Sequence, residues 1–315
     1  MAARIITVAN QKGGVGKTTT TVSIGAELAE RFRVLLIDLD PQANATSSLG
    51  LTDPERERST YDALLGNSPL ADVVIETDIP NLALAPAVRA LAGAQIELVD
   101  LPNRERRLER VLEPLLGDTQ PGQARAYDLV LIDTPPSLGL LTLNALAASD
   151  HVLIPVQSEY LALEGLGQIV ETLELVRGSI NPRLGLIGIL LTMLDARTNL
   201  GQQVGAEVRR HFPAATFQTE IPRSVRLSEA PSFGRPIRLH DPSSRGALAY
   251  AALTEELLGR LGMRPPEPPT PQPPPHCEGE GGQAAGAMNC APTESADVGA
   301  RFIAPTTGGG LYAQP

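Results

Sequence analysis

Only two lysines occur in a chain whose other basic side chains are all arginine, and they stand five positions apart, at Lys12 and Lys17. An ammonium is a compact point charge that fits between phosphate oxygens, whereas a guanidinium is a broad planar fork. Around the lysines run Gly13, Gly14, Val15, Gly16, Thr18 and Thr19. Glycines let backbone N–H groups turn inward around phosphate oxygens, and a helix beginning there aims its positive end at the same point. The spacing predicts a phosphate cradle in which Lys17 bridges the β- and γ-phosphates of a nucleotide and the Thr18 hydroxyl ligates Mg²⁺.

Carboxylates that would complete such a site follow two apolar runs. Val34 to Ile37 leads into Asp38-Leu39-Asp40, and Leu129 to Ile132 leads into Asp133. An acid at the end of a parallel strand lies on the ligand-binding edge of the sheet. Many buried strands end in Asp, so Asp133 alone carries little information. Joined to the Gly-Lys-Thr loop, it reads as the Walker B carboxylate that holds Mg²⁺ through water.

The elements that must position these groups are legible as alternating runs. Nearly continuous apolar stretches occur at 5–8, 34–37, 82–84, 129–132, 152–156 and 186–191, as expected of strands buried on both faces. Helical stretches are expected at 19–30, 103–116, 138–148, 162–177, 201–211 and 245–261. The alternation predicts one α/β domain over residues 1–262, a doubly wound and mainly parallel sheet of P-loop type. Residues 263–315 hold 11 Pro and 8 Gly with no apolar period, so this tail is expected to be disordered.

Composition narrows the function classes. A net charge of −10 argues against a protein that coats nucleic acid with its whole surface, although a local basic face remains open. No apolar run is long enough for a membrane span, and the first residues lack a signal-peptide core. The two cysteines, Cys277 and Cys290, lie in the tail and make neither a disulfide framework nor a zinc set, which fits a reducing cytoplasm. His151, His211, His240 and His276 show no metal spacing.

The form Lys12-Gly13-Gly14-Val15-Gly16-Lys17-Thr18-Thr19, with Gln11 where an ordinary Walker A loop has glycine, resembles the deviant Walker A loop of the ParA/MinD ATPases. Asp38-Leu39-Asp40-Pro41-Gln42-Ala43-Asn44 is similar to that family's Asp-x-Asp-Pro-Gln-Gly-Asn. Leu191 to Leu200 and Ile221 to Ser232 resemble its ParA/Soj chromosome- and plasmid-partitioning branch, so that the likeness covers residues 4–261. The resemblance implies an ATPase that uses ATP and Mg²⁺ and forms a face-to-face homodimer. Lys12 would reach the partner's nucleotide, Asp40 would position the attacking water, Asp38 would belong to the metal environment, and Pro222 would lie against the adenine. Ala43 stands where the family carries Gly, which implies a stiffer loop.

The same resemblance implies that the ATP-bound dimer binds double-stranded DNA without sequence preference, that a ParB-type centromere-binding protein stimulates hydrolysis, and that the protein is nucleoid-associated. Local charge agrees: residues 209–245 carry seven arginines against three acids. Arg223, Arg226, Arg235 and Arg245 are the candidate DNA contacts, though a solvated basic face has the same composition. With its first strand starting by Ile5, the chain is expected to be the short form without a helix-turn-helix domain. A MinD-type membrane cycle would need a basic amphipathic C-terminal helix, and the tail is Pro-rich and acidic. An iron–sulfur reductase would need core cysteines, which residues 1–262 lack. Metabolic P-loop ligases leave the Arg223 to Ser232 segment unexplained.

Overall fold

The computed structural model describes residues 3–51, 58–116, 127–159, 162–195 and 199–263. Seven strands form one sheet: β1 (Arg4–Val8), β2 (Val34–Asp38), β3 (Ile75–Glu76), β4 (Leu82–Ala85), β5 (Leu129–Asp133), β6 (His151–Gln157) and β7 (Gly185–Thr192). Their order is β3-β4-β2-β5-β1-β6-β7, and only the β3–β4 pair is antiparallel. The doubly wound α/β architecture expected from the apolar runs is therefore present. β3 was not expected, because two residues are too few to show a period.

Twelve α-helices accompany the strands among the described residues: α1 (Lys17–Leu28), α2 (Asn44–Ser48), α3 (Thr60–Leu65), α4 (Leu70–Val73), α5 (Leu91–Glu97), α6 (Arg107–Leu116), α7 (Leu140–Ala148), α8 (Ala162–Ser179), α9 (Asn199–His211), α10 (Val225–Glu229), α11 (Ile237–His240) and α12 (Arg245–Leu261). The six long expected helices are all found. The short ones, four to seven residues each, were not legible because one turn or two carries no amphipathic stripe.

Alternate strand residues feed two layers, as the period of two requires. Ile6, Val8, Leu36, Leu131 and Leu153 pack beneath α1 and α12 with Leu253 and Leu257. Ile5, Leu35, Ile37, Val130 and Ile132 pack on the other face with Leu108, Leu112 and Leu141, while Ile154, Ile189 and Leu191 meet Leu166, Ile169 and Val208. This rigid three-layer core fixes the carboxyl ends of β1, β2 and β5 side by side. The described residues belong to one compact unit. The expected disordered tail, Met263 apart, lies outside the described residues.

Candidate nucleotide site and arginine face

Strand register converges the site. Val8 pairs with Asp133, and Asp133 with Asp38, so the ends of β1, β5 and β2 form one row at the carboxyl edge of the sheet. From β1 the chain passes through residues 9–16 into α1. Gly14 and Gly16 sit at φ +74° and +89°, where a side chain would be strained, so the sequence's glycines are used for the turn itself. Gly16 also precedes the helix without any side-chain cap, and the first turn of α1 holds no acid. The positive end of α1 is thereby left uncompensated. Among the described residues no protein hydrogen bond takes the backbone N–H groups of Gly13, Gly14 and Gly16.

Side chains brace the loop from below. Thr192 Oγ1, at the end of β7, donates to Val15 O at 2.8 Å, and Asn10 Nδ2 donates to Pro155 O at 2.7 Å while its Oδ1 accepts from Lys12 N. Lys17 is buried, and its Nζ donates to Lys12 O at 3.2 Å. Burial pulls the Lys17 ammonium below its ordinary value, opposed by the charges of Asp133 and Asp40. Thr18 Oγ1 donates to Asp133 Oδ2 at 2.7 Å, and Thr21 Oγ1 reaches Asp133 Oδ1 at 3.2 Å.

The three acids differ in what they face. Asp133 is fully buried and pushed up to about 8, first by burial and then by the neighbouring Asp38. Asp38, raised to about 6 by burial, spends its oxygens on the following loop, accepting from Asp40 N, Thr46 N and Thr46 Oγ1 at 2.8 to 3.0 Å. Asp40 lines the cleft and accepts from Gln42 N at 2.9 Å. Ala43, in the same loop, adopts φ +53°. An alanine there costs roughly 1–2 kcal/mol that the family's glycine would not.

An open cleft of about 350 Å³ is walled by Gly13, Gly14, Gly16, Lys17, Thr18, Thr19 and Asp40, with Gln42, Asn44, Pro136 and Met193. Through Gly16, Thr19 and Met193 it adjoins a second pocket of about 260 Å³, lined by Ile221, Pro222, Arg223, Leu227 and Tyr250. Pro222 is thus brought to the site by a bridge between Leu194 and Pro222 beyond β7. Met193, at φ +53°, divides the two pockets. No role was expected for Met193 or Thr192, although their place at the end of a parallel strand was a signal that existed.

The donor set fits a magnesium nucleotide. Amide donors, an uncapped helix end and a buried ammonium face a phosphate-sized cleft beside a hydroxyl and a carboxyl whose charge burial disfavours. Among the described residues no group of three or more His, Cys, Asp and Glu could hold a metal by itself. That is the pattern for Mg²⁺, which takes few protein ligands and keeps phosphates and waters.

Lys12 stands apart from this cleft. Its Nζ makes an ion pair with Glu159 Oε2 at 2.7 Å, and Lys12 does not line either pocket.

The arginine region is less uniform than its composition. Arg209 pairs with Glu220 at 2.7 Å, Arg210 with Glu207 at 2.8 Å, and Arg226 with Glu229 at 3.0 Å and Asp241 at 3.4 Å. Arg238 bridges from α11 to Glu27 of α1 and to Glu30 just beyond its end. Among the described residues Arg223, Arg235 and Arg245 are exposed without an ion pair. No helix among the described residues is long and apolar enough to cross a membrane.

The chain resembles known proteins over most of its length. The AAA domain family matches residues 3–186. The sporulation initiation inhibitor protein Soj of Bacillus subtilis is 53% identical over 255 residues, covering 81% of this chain and 98% of its own length. The chromosome-partitioning ATPase Soj of Thermus thermophilus is 51% identical over 259 residues, covering 82% of this chain and 96% of its own. Among solved structures, the Mycobacterium smegmatis protein described as cobyrinic acid a,c-diamide synthase, with bound ADP and magnesium, superposes with a TM-score of 0.70 at 40% identity, covering 82% of this chain and 96% of its own. The chain belongs to the Soj/ParA family of chromosome-partitioning ATPases, within the ParA/MinD group of P-loop proteins.

Proposed function

We propose that the chain is a DNA-segregation ATPase whose ATP-bound face-to-face homodimer binds double-stranded DNA without sequence preference and is released when a ParB-type partner stimulates hydrolysis. The observation that carries the ATPase half is the row of Val8, Asp133 and Asp38, which sets the Thr18–Asp133 contact of 2.7 Å beside the buried Lys17.

In this reading Gly13, Gly14, Val15 and Gly16 offer their amides to the phosphates, Lys17 holds the β- and γ-oxygens, Thr18 and Asp133 hold Mg²⁺, and Thr19 and Pro222 line the nucleoside side. The metal, when bound, neutralises phosphate charge. Asp38 serves the metal environment by fixing the loop that carries Asp40, and Asp40 orients the attacking water. Lys12 contributes its charge to the partner's nucleotide.

For DNA, exposed Arg223, Arg235 and Arg245 offer unpaired guanidinium groups, with Arg226 secondary because two carboxylates already face it. Arg245 opens α12, where the helix dipole disfavours a cation, so helix stability does not account for it. The protein would work in the cytoplasm, on the nucleoid, with no membrane involved. The test is gel retardation of random-sequence duplex by the purified chain: retardation should need ATP and fade with salt. A wild type that retards no DNA would move the reading toward metabolic P-loop relatives.

A further inference from the structure

The signature lysine is not free in this conformation. Lys12 Nζ lies 2.7 Å from Glu159 Oε2, and the other carboxylate oxygen, Oε1, accepts from Gln157 Nε2 at 2.6 Å. A backbone turn, Glu159 N to Gln157 O at 2.8 Å, holds these two residues at the end of β6, 147 positions from the lysine. Gln11, the residue before Lys12, is bonded to Gln168 of α8, so the start of the loop is fastened to the same side. Between Gln157 and Glu159 stands Ser158, whose hydroxyl is the one buried side-chain polar atom without a partner among the described residues. An unpartnered buried hydroxyl is costly, so this turn has a reason to rearrange.

We propose that Glu159 is a positioning residue for Lys12: it holds the ammonium in cis, outside its own phosphate cleft, and must release it before the lysine can serve a second copy of the chain. The inference rests on the reading that Lys12 acts across the dimer. In a single chain the pair keeps Lys12 extended at the loop edge and off its own nucleotide. On dimerisation the partner's phosphates compete with Glu159 for the ammonium, and a rearranged turn lets Ser158 find an acceptor. The latch thereby sets the protein concentration at which ATP drives pairing.

Both side chains are about half exposed, at 40% and 50%, so the pair is a weak one. Releasing it should be worth about threefold per chain, and about tenfold in the dimer dissociation constant because two latches open. The experiment compares the full chain, Glu159→Gln, Glu159→Asp, Lys12→Ala and the Lys12→Ala, Glu159→Gln double variant by sedimentation with Mg²⁺ and a slowly hydrolysed ATP analogue. Glu159→Gln should lower the dimer dissociation constant about tenfold, and ATP affinity measured below the dimerising concentration should not change. Lys12→Ala should fail to dimerise with or without the exchange, and Glu159→Asp, which keeps a carboxylate beside the ammonium, should stay near the wild-type dissociation constant, a rescue that loss of a merely structural amide-sized side chain would not predict.

An unchanged or raised dissociation constant in Glu159→Gln, with Lys12→Ala still unable to dimerise, would overturn the latch and leave the trans role of Lys12 intact. A Lys12→Ala chain that dimerises like wild type would overturn that role, and the latch with it.

Discussion

The carboxyl edge of the sheet and the arginine face of α9 to α12 both concentrate charge, yet they are built in opposite ways. At the edge, Lys17, Asp38, Asp40 and Asp133 are buried, at 0 to 6% exposure, with strand register aligning Asp38 and Asp133 while the adjoining loops hold Lys17 and Asp40. On the arginine face five of the seven guanidinium groups are exposed and Arg209 and Arg238 half-buried, and four of the seven are spent on carboxylates. Charge at the edge is preorganised for one small, highly charged ligand. Charge on the face is graded, and a residue's formal sign says little until its partners are known.

The comparison breaks first at Asp40. Asp40→Ala should lower ATP turnover about a thousandfold, the usual worth of a group that directs a proton or water. Nucleotide contacts survive, so size-exclusion chromatography should show an ATP-trapped dimer, and a variant with wild-type turnover would remove Asp40 from the chemistry. Next in size is Lys17→Ala. Losing charge-assisted bonds to two phosphates should weaken ATP binding by about a hundredfold or more, read by isothermal titration calorimetry.

The arginine face should respond in smaller steps that its pairing ranks. Arg223→Glu, Arg235→Glu or Arg245→Glu should each weaken binding to every duplex alike and cut the slope of log affinity against log salt by about 1. Arg226→Glu should have less effect, because its guanidinium already answers Glu229 and Asp241. Equal slopes for Arg226 and Arg245 variants would show that these ion pairs open freely on DNA. Arg238→Glu should instead lower thermal stability, since it is a strut between α11 and α1.

The smallest effect is expected at Ala43. Ala43→Gly relieves the left-handed backbone but adds freedom to the unfolded chain, so the net gain should be no more than about 1 kcal/mol. Thermal denaturation would register it as a rise of a few degrees at most.

What was legible in the sequence follows the same division. Gly14 and Gly16 announce the loop because few other residues accept their backbone, and Leu129 to Ile132 announce Asp133 because a buried parallel strand is apolar throughout. The Thr192 brace, the Met193 wall and the second pocket depend on β7 arriving beside β6, which a linear reading does not supply. The Arg238 strut is harder still, unlike the pairs of Arg210 and Arg226 with glutamates three residues away. Glu27 lies 211 positions from Arg238, and nothing local in either segment marks the other.

The most direct test is fluorescence anisotropy of a labelled random duplex, titrated with the full chain at several salt concentrations, with a slowly hydrolysed ATP analogue or with ADP. The account predicts tight, salt-dependent binding with the analogue, weak binding with ADP, and a shallower salt slope once Arg235 and Arg245 are both exchanged for Glu. Equal affinity with either nucleotide, or an unchanged slope in the double variant, would contradict it.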